Sequence, residues 1–145
     1  MKLTAKILVL GLLMAGGIAL ADSASTDPDV KARQALMDAN GGAMKVLGEM
    51  AGGKVAFDAT AAAAAKATLV ADAAAVPEKW KVNAVDAGSH SKPDIWTAWD
   101  DFTAKAGDFG KAAAALDTSS LDGVNAGLGA IGGACKACHT AYKAS

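Results

Sequence analysis

The sequence predicts an all-α chain, a single antiparallel up-down four-helix bundle. Three observations carry this. Four segments place apolar residues at alternating steps of three and four, no segment alternates with the two-residue period of a half-buried strand, and the connections are short enough to return each helix beside the last.

The first helix opens at STDPDV, where Thr26 or Asp27 can cap, Pro28 suits the first helical position and Asp29 suits the positive end of the helix dipole. Its seam is Val30, Arg33, Met37, Asn40, Met44, Leu47 and Ala51, and Gly52-Gly53 stop it. The second helix begins near FDAT with Asp58 as cap and runs through an alanine-rich stretch to Val76, before Pro77. Alanine is the best helix former, and Leu69, Ala73 and Val76 still make a stripe. A loop from Pro77 to Lys92 holds Trp80, Gly88 and His90. The third helix starts at Pro93 and carries Ile95, Trp99, Phe102, Ala106, Phe109, Ala113 and Leu116. The fourth starts at SSLD, with Ser119 and Asp122 placed as a capping box, and its seam is Leu121, Val124, Leu128, Ile131, Cys135, Cys138 and Tyr142.

Ahead of these lies a different kind of segment. Lys2 and Lys6 precede an apolar run from Ile7 to Leu20, and Ala19-Leu20-Ala21 stand before Asp22. A positive start, a short apolar run and an A-x-A site read as a secretory signal over residues 1–21, leaving 22–145 as the mature domain. The run falls short of the roughly 20 residues that span a bilayer, so a transmembrane anchor is the weaker reading. The chain has 14 Lys and Arg against 15 Asp and Glu. Loss of Lys2 and Lys6 leaves a mildly acidic domain with no basic patch for nucleic acid and no polybasic membrane signal. Export in a bacterial cell means the periplasm.

The chemistry is concentrated at the other end. Cys135 and Cys138, with His139 directly after, are the chain's only cysteines. A disulfide across three residues closes too small a loop to constrain the unfolded chain much. A thioredoxin-like pair wants a preceding strand and a helix N-terminus, and no strand pattern precedes ACKACH. Zinc wants a fourth ligand, and the one other histidine, His90, lies in the polar loop GSHSKP. C-x-x-C-H is instead the attachment sequence of c-type haem, with two thioethers and an adjacent imidazole for the iron. On a helix these three side chains share a face, toward the interior that Leu121 to Ile131 define. Gly132-Gly133 just before cost helix propensity, about 1 kcal/mol each. They make sense if the macrocycle or a neighbouring helix lies against the backbone.

On the first helix, Arg33 is the charged member of an apolar seam. Such a group ordinarily snorkels to water, but haem propionates are anions that arginine pairs with bidentately. Met37, one turn on, reads either as gap-filling core or as a ligand to the iron's other face. Met44 and Met50 are worse placed, the first two turns further on and the second off the seam.

The combination of CKACHTAYK, RQALMDANGGAM, FDA and PDIWTAWDDF resembles cytochrome c-prime and its relatives, the class II c-type cytochromes, over essentially the whole mature chain. The resemblance implies a four-helix bundle with one haem c near one end, thioethers to Cys135 and Cys138, and His139 as proximal ligand. It further implies Lys143 as the basic residue beside that imidazole, Arg33 as the propionate partner and Gln34 following it as in some members. High-spin members of the family block the distal side with a bulky residue and bind nitric oxide or carbon monoxide. Low-spin members place an iron-bound methionine there and carry electrons. That position is Met37 here, although Asp38 stands where the family's lysine is expected.

The expected protein is therefore a periplasmic electron carrier with His/Met-ligated haem, serving redox partner proteins as a monomer or homodimer, with no enzymatic turnover. The alternative is a five-coordinate gas-binding cytochrome c-prime. Trp96, Trp99, Phe102 and Tyr142 serve as core or haem-packing aromatics.

Overall fold

A computed structural model of the chain describes residues 24–144. Residues 1–21, expected to be a secretory signal, lie outside the described residues. Among these there are five helices, α1 (Pro28–Ala51), α2 (Ala59–Lys79), α3 (Asp94–Thr97), α4 (Trp99–Ala115) and α5 (Leu121–Tyr142). Four are long, and α1, α2, α4 and α5 pack in a ring in which α1 and α5 touch least. Cross-helix pairs show the directions. Arg33 near the start of α1 bonds Lys79 at the end of α2, and Lys66 bonds the carbonyl of Leu116 just past α4. Phe102 near the start of α4 meets Tyr142 at the end of α5. Each helix runs antiparallel to the one before it, the up-down bundle expected.

Local chemistry explains the ends. The Asp27 carboxylate accepts from the amides of Asp29 and Val30, and Asp58 accepts from Thr60 and Ala61, each satisfying orphan donors of a first turn. Gly53 takes φ +67° just past α1, a conformation that costs only glycine nothing. Three expectations shift. α2 runs one turn through Pro77, because proline removes only one amide and the Trp80 amide still closes on Val76. Ser120, not Ser119, caps α5; its hydroxyl accepts from Gly123, so no Ser119–Asp122 box forms. The third helix is broken at Ala98 (φ −119°, ψ 45°) into α3 and α4. The break separates Trp96, whose indole donates to the Trp80 carbonyl, from Trp99, which packs on Phe102. Tertiary contacts here override alanine's propensity.

The α1 seam also drifts. Its buried residues are Val30, Arg33, Leu36, Asn40, Ala43, Leu47 and Met50. The three-four stepping is kept but the buried face lies to one side of the expected seam, so Leu36, Ala43 and Met50 are buried while Met37 and Met44 sit half-buried on its flank. Met50, read as off the seam, is core at 4% exposed. α2 has the length and mean hydropathy, 1.3, of a membrane-crossing helix, which follows from its alanines. Here its stripe of Ala62, Ala65, Leu69, Ala73 and Val76 is buried in the bundle.

The core divides in two. One cluster, centred on Leu47, Leu69, Phe109 and Ile131, fills the end remote from the C-terminus. The other gathers Leu36, Trp80, Ile95, Phe102 and Tyr142, with Met37 and Cys138 packed against it. The Asp86 carboxylate straps the segment leading into α1 to this second end, accepting from Ser25 Oγ (2.7 Å) and from the amides of Thr26, Asp27 and Gly88. These bonds, that of Asp27 foremost, hold its pKa down at about 2 against an ordinary 3.8. A depressed carboxyl contributes stability above its unfolded pKa and loses it as pH falls through the folded one. Thermal unfolding between roughly pH 4 and 2 should therefore flatten in Asp86→Ala relative to the parent. An unchanged slope would mean the strap carries no stability.

Candidate haem site

Between α1 and α5, where the ring is loosest, lies a cavity of about 520 Å³ whose walls include Arg33, Gln34, Met37, Trp80, Cys138 and His139. A more apolar chamber of about 200 Å³ adjoins it and shares Met37, Phe102, Cys138 and His139. Cys135 and Asn40 line this smaller chamber. The CxxCH face therefore opens on the same space as Met37, and that convergence is geometric rather than sequential.

Cys135 and Cys138 are half-buried free thiols. Burial pushes both pKa values up; for Cys138, Lys105 pulls the other way and Cys135 and Asp101 add to the rise. A reactive redox pair needs the opposite shift, so the thiols suit a site that keeps them protonated until they are used. His139 is exposed, yet partial desolvation, helped by the charge of Lys143, lowers its pKa. That favours the neutral ring, the form able to bind a metal. Lys143 lines the larger cavity with it and is tied back by its amide to the His139 carbonyl.

The end of α5 is clamped. The Tyr142 hydroxyl donates to Asp101 Oδ2 at 2.5 Å, which raises the phenol to about 12 and lowers the carboxyl. Ser91 pairs with Lys143, and the Ala144 amide donates to the His90 carbonyl. These contacts fix the helix one turn beyond His139.

Arg33 does not snorkel. It is 3% exposed, and its Nε, Nη1 and Nη2 donate to the carbonyls of Lys79, Ala84 and Val82 at 2.9, 2.7 and 2.5 Å. The guanidinium also lies 5.6 Å from the Trp80 ring and 5.5 Å from Trp96. Desolvation lowers its pKa, opposed by Asp29 and Asp27. Three of its five donors hold the end of α2 and the loop after it, which leaves two for an anion in the cavity it lines. Gln34 donates to the Gly88 carbonyl of the same loop.

Trp80 was legible only as a loop residue. It caps α2, is 6% exposed and walls the larger cavity, with its indole donating to Ser91 Oγ. Asn40, on the expected seam, carries a buried Oδ1 that accepts no hydrogen bond. Gly132 and Gly133 answer to no neighbouring helix, since a Cβ at either meets nothing within 4 Å.

Among the described residues no group of three His, Cys, Asp or Glu could hold a bare metal ion. The donor set is instead two thiols, an imidazole and a thioether around two adjoining cavities, the larger of them in the range of ligand pockets, about 300–1,000 Å³. It fits one covalently attached macrocycle, and the class so defined is the helical c-type haem bundle.

The Cytochrome C' family pattern matches residues 29–143, and the chain belongs to that family. It is 33% identical to a cytochrome c-556 of Agrobacterium fabrum over 146 aligned positions, covering 99% of this chain and 95% of the relative. Among solved structures, a cytochrome c' from Rhodobacter spheriodes superposes with TM-score 0.74 at 29% identity, covering 84% of this chain and 99% of its own. An oxidized R. palustris cytochrome c556 superposes with TM-score 0.72 at 28% identity, covering 81% and 97%. Members of this family carry covalently attached haem c, and the four-helix bundle is theirs. Relatives named c-556 and c' both match.

Proposed function

We propose that the protein is a periplasmic electron carrier whose haem c is attached through Cys135 and Cys138, with His139 and Met37 as axial ligands. The observation that carries this is the presence of Met37 on the same cavity as Cys138 and His139. Haem c, when bound, supplies a one-electron Fe(III)/Fe(II) couple. His139 is kept neutral to donate its ring nitrogen, and the Met37 thioether favours Fe(II), raising the potential. Arg33 has two donors left to offer the larger cavity, whose lining also includes Gln34 and Lys143, and propionate carboxylates would suit them. With both His139 and Met37 holding the iron, no position would remain open for substrate, so no catalytic turnover is assigned. Residues 1–21 serve as the export signal, and the partners are periplasmic redox proteins.

A second reading is supported by Met37 being half-buried beside open space: it fills the distal pocket and yields to nitric oxide or carbon monoxide. Optical spectra of the matured protein, with and without carbon monoxide, separate the two. The carrier reading expects a sharp low-spin reduced spectrum that carbon monoxide leaves unchanged at concentrations that would saturate an open site, because displacing Met37 takes far more. A broad high-spin spectrum that shifts on adding carbon monoxide would sink it in favour of gas binding.

A further inference from the structure

The smaller chamber is lined almost wholly by apolar surface, yet Asn40 stands in its wall. Asn40 is 8% exposed, and its Oδ1 has no hydrogen-bond partner. A buried amide without a partner is destabilising, and native proteins rarely keep one without a use. The position is not forced by helix propensity, because asparagine is a mediocre helix former and Leu47 two turns on shows what the seam otherwise accepts. Asn40 lies one turn after Met37, and the two share the chamber with Cys135, Cys138 and His139.

An amide has an acceptor end and a donor end of nearly the same shape, and a flip exchanges them. With Oδ1 unbonded, nothing pins that oxygen in place, so Nδ2 can be turned into the chamber.

We propose that Asn40 is a positioning residue of the distal side, donating a hydrogen bond to the acceptor atom that stands across the iron from His139. In the electron-carrier reading, on which this form rests, that atom is the Met37 sulfur. If Met37 proves not to bind iron, the same donor meets the oxygen of a diatomic ligand. A hydrogen bond to the bound sulfur holds Met37 in its ligating rotamer against competitors. The residue acts through another and does no chemistry itself.

The test uses matured holoprotein carrying Asn40→Leu, which keeps the branched outline and removes the polar atoms, and Asn40→Ala in case leucine overfills the site. Carbon monoxide titration of the reduced proteins and thermal unfolding are measured together, and the parent spectrum first establishes whether Met37 is bound. With Met37 bound, both variants should let carbon monoxide displace it about fivefold more readily, the equilibrium worth of one ordinary hydrogen bond. If the parent is five-coordinate, the carrier reading fails by itself. Asn40 then shows as a carbon monoxide affinity weakened about fivefold in the variants. In either coordination, affinity unchanged within twofold in both variants overturns the proposal. A rise in the unfolding temperature of Asn40→Leu alongside that unchanged affinity would identify Asn40 as an unsatisfied core residue.

Discussion

A chain carrying both Cys135→Ala and Cys138→Ala is expected to hold no haem once denatured. Haem staining of a denaturing gel should fall from full intensity to none, while each single variant keeps one bond and a weaker band. Attachment adds a thiol's sulfur and hydrogen across a vinyl double bond. No electrons are gained or lost, and the only requirement on the chain is a reduced, protonated thiol brought to the right place. Both thiols are free, and burial keeps both protonated. Their spacing puts them on one face of α5, where Cys138 and His139 meet Met37 across a shared cavity. Under native conditions His139 and Met37 remain, so non-covalent haem should survive in the double variant and be extracted only on unfolding. Haem retained by the denatured double variant would place the attachment on some other residue and overturn the assigned site.

Arg33→Ala is expected to be the most destabilising single change at the polar end of the bundle. Three charge-assisted hydrogen bonds join α1 to the end of α2 and the loop that follows, and hydrogen bonds to charged groups are worth about 1.5–3 kcal/mol each. The sum does not apply in full, because Lys79 and Val82 are exposed and water can reach their carbonyls after the change. The indoles of Trp80 and Trp96 cannot be rescued in that way: the desolvated guanidinium against them contributes on the order of a further 1–2 kcal/mol. A net loss of about 3 kcal/mol follows, a fall of roughly 10 °C in the unfolding midpoint for a domain of this size. Arg33→Lys should recover little, since one ammonium cannot reach carbonyls that a planar fork spans. A midpoint in Arg33→Lys close to the parent's would show that charge alone matters here and that the fork geometry does not.

Much of this was legible in particular residues. Asp27 and Asp58 as caps, the stop at Gly52, the buried stripe of α2 and the shared face of the CxxCH motif all depend on contacts within a turn or two of the residue concerned. So does the family pattern, which lies in short runs. Two differences are local, the turn of α2 beyond Pro77 and the cap at Ser120; at the larger ones a partner outside the segment is responsible. The break at Ala98 answers to Trp80 and Phe102, residues from 4 to 18 positions away in the chain. Met50 was misplaced because a 3–4 step count cannot tell which flank of a long helix faces which neighbour.

The sequence by itself determined the helices, their order, the chemistry of the attachment motif and the family, because each is written in local spacing. Only the tertiary structure decided what Arg33, Trp80 and Asn40 do. Arg33 was expected to face water or a propionate, and three carbonyls at the end of α2 and in the loop after it, between 46 and 51 residues away, hold it inside the protein. Trp80 became a cavity wall when the loop folded back over α1. Asn40 became an orphaned polar group when α1 met α5. The physical reason is the same in all three: a polar or aromatic side chain takes its role from the partners that burial brings to it, and those partners are far away along the chain.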